Sequence, residues 1–189
     1  MYSLKTFNDF LNLNTATYKE LINESKQIGL LYHILNFNKL IFVANNNILQ
    51  GRDFYKLSFT RNKMLNYYVG EGAATFCKFE IDGNKLSNKY KIEPFQYQTH
   101  NGKPLKEFEE TVDGPIKNFF NYVNKLIFIK ERINDMMFIE KESKNKSKLS
   151  DALEIIKNKY KIEFFVQDGT KIIKDDKFLE QFTFISNIK

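Results

Sequence analysis

The apolar runs of this sequence are short. "LLYHIL" (30–35), "KLIFIK" (125–130) and "IEFFVQD" (162–168) each have the length of a strand. "TFCKFEID" (75–82) alternates, with Cys77, Phe79 and Ile81 on one face and Lys78, Glu80 and Asp82 on the other. Helical spacing appears elsewhere: Leu4, Phe7, Phe10 and Leu11, then Tyr18, Leu21 and Ile22, with Gly29 as a stop. It returns in "SKLSDALEIIKNKY" (147–160), where Ser150 or Asp151 is the expected cap. Strands scattered among short helices, without a regular βαβ rhythm, predict an α+β fold.

Between these runs, Asn36 is placed to cap a short helix over "NFNKLIFVANN", and "FYKLSFTRN" (54–62) reads as a further strand. "GNKLSNKYKIEPFQYQTHNGKP" (83–104), broken by Pro94 and Pro104, reads as mostly loop, and "YYVGEGAA" (67–74) as a flexible connection. Pro115 is expected at a first helical position, and the basic run "KESKNKSK", with Lys144, Lys146 and Lys148, as a solvated loop.

A chain of 189 residues with 42% apolar and 28% charged residues has the composition of a soluble globular domain. Its formal charge of +6 permits contact with nucleic acid without demanding it, because acidic residues are interspersed throughout. The single cysteine, Cys77, excludes an internal disulfide and suits a reducing compartment. There is no apolar leader and no run approaching a membrane span, so a cytoplasmic protein that does not enter membranes is expected. One Cys and two His, His33 and His100, offer no credible zinc site, and phosphate-binding glycine loops and acyl-transfer motifs are missing.

What remains is "KEFEETVDGPI" (106–116). If Phe108 to Val112 is extended, Phe108, Glu110 and Val112 share a face, so Glu110 is carried inward with its apolar neighbours. A carboxylate on an apolar face is costly unless satisfied or used. The plain alternative is a strand-end carboxylate that reaches water or pairs with a lysine. His33 interrupts the apolar row Leu31, His33, Leu35 in the same way, and such a histidine is ordinarily a core residue with a backbone hydrogen bond. Ser58, Thr60, Arg61 and Asn62 form a polar cluster at a strand end, where Arg61 offers a planar fork suited to phosphate.

The order of these pieces, "LYH" before a helix, then "SFTRN", then "EET" before a strand break, resembles the ADP-ribosyltransferase superfamily. The pattern is most similar to its histidine-containing branch: DarT-type DNA-modifying toxins, poly-ADP-ribose polymerases, RNA 2′-phosphotransferases and phage-encoded proteins of this look. The resemblance covers about residues 30 to 130. It implies an α+β fold with a split β-sheet core, two small packed sheets, a cleft where the His33, Ser58 and Glu110 strands meet, and flanking helices. Residues 1–29 would form N-terminal helices, 30–135 the core, and 136–189 a helix and strand completing the same domain.

The resemblance also implies NAD as substrate, no metal, and a macromolecular acceptor that is nucleic acid or protein, in the host cytoplasm if the chain is phage-encoded. His33 would bind a ribose of NAD. Ser58, or its neighbour Phe59, would lie beside the nicotinamide. Glu110 would contact the nicotinamide ribose and align the acceptor, and Arg61 would contact the pyrophosphate or acceptor. "SFT" departs from the family's serine-threonine-serine, which leaves a non-catalytic protein on the same scaffold as the alternative, either a phage structural component or a host-factor binder.

Overall fold

A computed structural model of the chain describes residues 29–51, 57–64, 75–94, 99–100, 103–104, 109–132, 146–175 and 177. The expected N-terminal helices, the 67–74 connection and Lys144 lie outside these residues.

Strand β1 (Leu30–Asn36) runs straight into helix α1 (Phe37–Asn46). The switch is made by Asn36, whose side chain accepts the Lys39 N–H at 3.0 Å, as the sequence suggests. The helix stops at Asn47, a residue in the left-handed region (φ 53°) whose N–H returns to Val43 O. Leu40, Val43 and Ala44 line its buried stripe. After the short strand β2 (Ile48–Leu49) come β3 (Leu57–Thr60) and the longer β4 (Thr75–Asp82). Strand β4 pairs antiparallel with β1 from Leu30↔Asp82 to Asn36↔Thr75.

The stretch read as loop is largely ordered into elements. Helix α2 (Gly83–Ser87) starts where the Asp82 carboxylate accepts the Lys85 N–H at 3.0 Å. Gly83 packs so closely on Gly29 that a Cβ there would stand 2.5 Å from the Gly29 carbonyl. Strand β5 (Ile92–Pro94) follows, then the β6 (Thr99–His100) and β7 (Lys103–Pro104) pair. Pro94 does not prevent β5 because β5 is an edge strand, where an absent N–H is tolerated. Beyond β8 (Glu109–Val112), Pro115 precedes a short strand β9 (Ile116–Lys117), not a helix. The helical turn, a 3₁₀ segment, begins later, at Phe119.

Strand β10 (Val123–Ile129) is buried as expected. Helix α3 (Lys146–Glu154) continues as a π turn over Ile155–Lys159 and leads to β11 (Glu163–Asp168) and β12 (Lys171–Lys174). Ser150 and Asp151 are not its cap. Leu149, Ala152, Leu153 and Ile156 form one buried stripe, so the helix must already be under way before Ser150, and Lys146 and Lys148 are helical.

Eight of these strands join one hydrogen-bonded sheet in the order β12-β11-β10-β4-β1-β3-β8-β5, instead of the two packed sheets expected. Every pair is antiparallel except β10 with β11, which α3 connects. The chain is thus mixed helix and sheet, with a large, mostly antiparallel sheet. Helices α1 and α3 pack on each other, and the core runs from them to Leu31, Leu35, Cys77, Phe79, Leu126 and Phe128. Phe119 and Phe120 meet Phe79 edge-on at 5.3 and 5.7 Å between centroids.

Candidate functional site

Cross-strand register decides which side chains can act together, because paired residues point to one face. The Tyr32↔Thr60 pair between β1 and β3 sets His33 opposite Phe59, and their rings lie 5.4 Å apart. Phe59 in turn pairs with Glu110 of β8. His33, Phe59 and Glu110 therefore form one row across three neighbouring strands, on the face that carries Leu31, Leu35 and Val112. Ser58 pairs with Thr111, so its side chain belongs to the other face. Of the two residues proposed for the middle position, Phe59 is the one in the row. Ser58 contributes its backbone.

That backbone fixes the chemistry of His33. The imidazole Nδ1–H donates to Ser58 O at 2.7 Å, which leaves Nε2 as a lone-pair acceptor. Nε2 is buried and has no hydrogen-bond partner among the described residues. Burial, and then the charge of Lys39, hold the imidazole pKa well below its usual range, and the Ser58 bond only partly opposes this. His33 is thus a neutral ring with an unused acceptor. The core position and the backbone bond are those that the sequence suggests; the vacant nitrogen is additional.

Glu110 is fully enclosed, at 0% exposure, beside Val112 at 1%. The inward register read from the sequence is the one observed. The carboxylate does not reach water. Its Oε1 takes the Nε–H of Arg61, and its Oε2 faces Nη2 at 3.4 Å, a fork-to-carboxylate arrangement. Arg61, expected to meet pyrophosphate or acceptor, is thus engaged with the candidate catalytic acid. Its side chain keeps 20% of its surface exposed.

Local bonds hold the Arg61 backbone in place: the Asn62 N–H donates to Thr60 Oγ1, and the Met64 N–H to Asn62 Oδ1, both at 3.0 Å. Gly29 lies on the other flank, where a Cβ would stand in ordinary contact with Arg61 Nη1, at 3.6 Å.

The opposite face of the sheet holds a second buried polar group that the sequence reading misses. Tyr32 Oη–H donates to Glu80 at 3.4 Å, and the Lys125 ammonium reaches the same carboxylate at 3.0 and 3.2 Å. Lys78 donates to Lys63 O and sits 5.8 Å from the centre of the Tyr32 ring. Burial pushes the Tyr32 phenol well up, helped by the Glu80 charge, and lowers Lys78 to about 8. Alternation placed Lys78 and Glu80 on the face opposite Cys77 and Phe79 without showing that this face is covered. Phe76 on the same face, with Ile34 and Ile127 on the flanking strands, was the signal that this side is covered.

No protein-family model matches this chain, and neither a curated protein nor a solved structure matches it. Among the described residues no helix is long and apolar enough to cross a membrane.

Proposed function

We propose that the chain is an NAD-dependent ADP-ribosyltransferase acting on a macromolecule, nucleic acid or protein, with the row across β1, β3 and β8 as its site. One observation carries this reading. A buried imidazole acceptor without a partner stands in line with a buried carboxylate, with an aromatic ring between them. A ribose hydroxyl is the donor that His33 Nε2 lacks. Two strand spacings, about 10 Å, separate the backbones of His33 and Glu110, a span that a dinucleotide bridges.

In the reaction the bond between ribose C1′ and the nicotinamide nitrogen breaks, and its electron pair leaves with nicotinamide, which departs neutral. Positive charge develops at C1′, as in glycoside cleavage, and the Glu110 carboxylate stabilises it. The acceptor's oxygen or nitrogen bonds to C1′ and its proton passes to Glu110. Because the leaving group is already cationic, the step needs neither a strong general acid nor a metal. The test is nicotinamide release from NAD: wild type should release it, and Glu110→Ala should be slower by at least about 10²-fold. Equal rates would remove Glu110 from the mechanism.

A second reading has its own observation. Complete enclosure of Glu110 beneath Arg61 suits a pair that only holds the sheet together, on a scaffold that binds a host factor or serves as a phage component. Calorimetry that shows no heat with millimolar NAD would favour it over the transferase.

A further inference from the structure

The Arg61–Glu110 pair is asymmetric. Arg61 has a solvent-facing flank and Glu110 has none. Whatever enters from solution therefore meets the guanidinium first. While Arg61 engages both oxygens of Glu110, its charge offsets the carboxylate's and weakens it both as a base and as a stabiliser of a developing cation. Pulling the pair apart takes the guanidinium away from a fully buried carboxylate, which is unfavourable unless an incoming group replaces each lost contact. An anion is the replacement partner for Arg61, and a hydroxyl donor or developing cation is the replacement for Glu110. The backbone at Arg61 is fixed by the Thr60 and Asn62 bonds, and Gly29 presents no side chain to its head group.

We propose that Arg61 is a latch on Glu110 that a diphosphate-bearing ligand opens, so that the carboxylate is released only when the ligand's phosphates have taken the guanidinium. The proposal rests on the dinucleotide reading for the choice of ligand. It adds that the free chain holds its acid closed, which would also suppress wasteful attack of water on a partly bound substrate.

The latch makes a counterintuitive demand. Glu110 competes with phosphate for Arg61, so Glu110→Gln, which removes the competing charge, should bind ADP more tightly than wild type by at least about tenfold. ADP is the probe because it carries the diphosphate but no nicotinamide ribose for Glu110 to touch. The companion measurement is the Arg61 Nε–H resonance in wild type, assigned by its loss in Arg61→Lys and followed as ADP or NAD is added. It should move away from its carboxylate-bound position as the site fills, and this readout does not depend on the Glu110 variant folding.

An unmoved Arg61 signal at saturating ADP or NAD, or weaker ADP binding by a folded Glu110→Gln, would overturn the latch even if nicotinamide is released. Failure of both ligands to bind would overturn the latch and the dinucleotide reading together. A shifted Arg61 signal without any nicotinamide release would uphold the latch and remove the transferase.

Discussion

Replacing Arg61 by Met keeps much of the side-chain volume and removes the charge that faces a fully enclosed carboxylate. Breaking one half of a buried ion pair typically costs about 3–5 kcal/mol. The stranded acid has an escape, since it can take a proton. That limits the cost to about 1.4 kcal/mol for each pH unit above the ordinary glutamate value of about 4.3. The ceiling is thus about 3.7 kcal/mol at pH 7 and about 1 kcal/mol at pH 5. Urea unfolding of wild type and Arg61→Met at both pH values measures it, with the expected destabilisation shrinking severalfold on acidification. Adding Glu110→Leu to Arg61→Met should recover most of the loss, because replacing both partners with apolar groups leaves no charge to desolvate. A loss below about 1 kcal/mol at pH 7 that does not change at pH 5 would mean Glu110 finds water once Arg61 is gone, and the burial argument fails.

Other consequences follow from buried groups. His33 is held neutral in the folded chain but protonates near pH 6.5 when unfolded, so the unfolded state binds the extra proton first. Stability should fall as pH drops below 6.5, by up to about 1.4 kcal/mol per unit from this ring, and His33→Leu should flatten that part of the pH–stability profile. Lys78, lowered to about 8 by burial, binds its proton more weakly folded than unfolded, so the wild type should gain stability between about pH 8 and 10.5. Lys78→Met should then stabilise the chain at pH 7 by about 1–3 kcal/mol, read as a higher urea midpoint, and a lower midpoint would contradict it. Gly83→Ala should lose about 1–3 kcal/mol, because its Cβ would meet the Gly29 carbonyl, and unchanged stability would show that the corner can relax.

Much of the sheet was legible because local signals agree with tertiary placement. The apolar runs of β1, β10 and β11, the Asn36 cap, and the inward register of Glu110 all rest on periods of two or on a single side-chain bond. What escaped has a common cause: a sequence gives a strand's period but not its neighbours. Strand β4 alternates like a half-exposed strand, yet it lies between β1 and β10, so Lys78 and Glu80 are buried and must find partners. Strand β5 was hidden by Pro94, which only an edge position accommodates. Likewise the Ser58 or Phe59 question was one of register. Which of the two stands in line with His33 depends on a single residue pair across β1 and β3, and sequence spacing could not supply it. Arg61 stood out in the sequence as a planar fork suited to phosphate, but the carboxylate it engages sits on a strand 49 residues away, beyond the reach of local spacing.

The proposal stands or falls on whether the unused nitrogen of His33 receives a ligand. Nitrogen NMR of the His33 ring during NAD titration reads this directly. The account predicts that Nδ1 keeps its proton on the Ser58 carbonyl, while the Nε2 signal shifts saturably as a hydroxyl donates to it. An Nε2 signal that stays unchanged at saturating NAD would show that the row across β1, β3 and β8 is core packing and not a binding site.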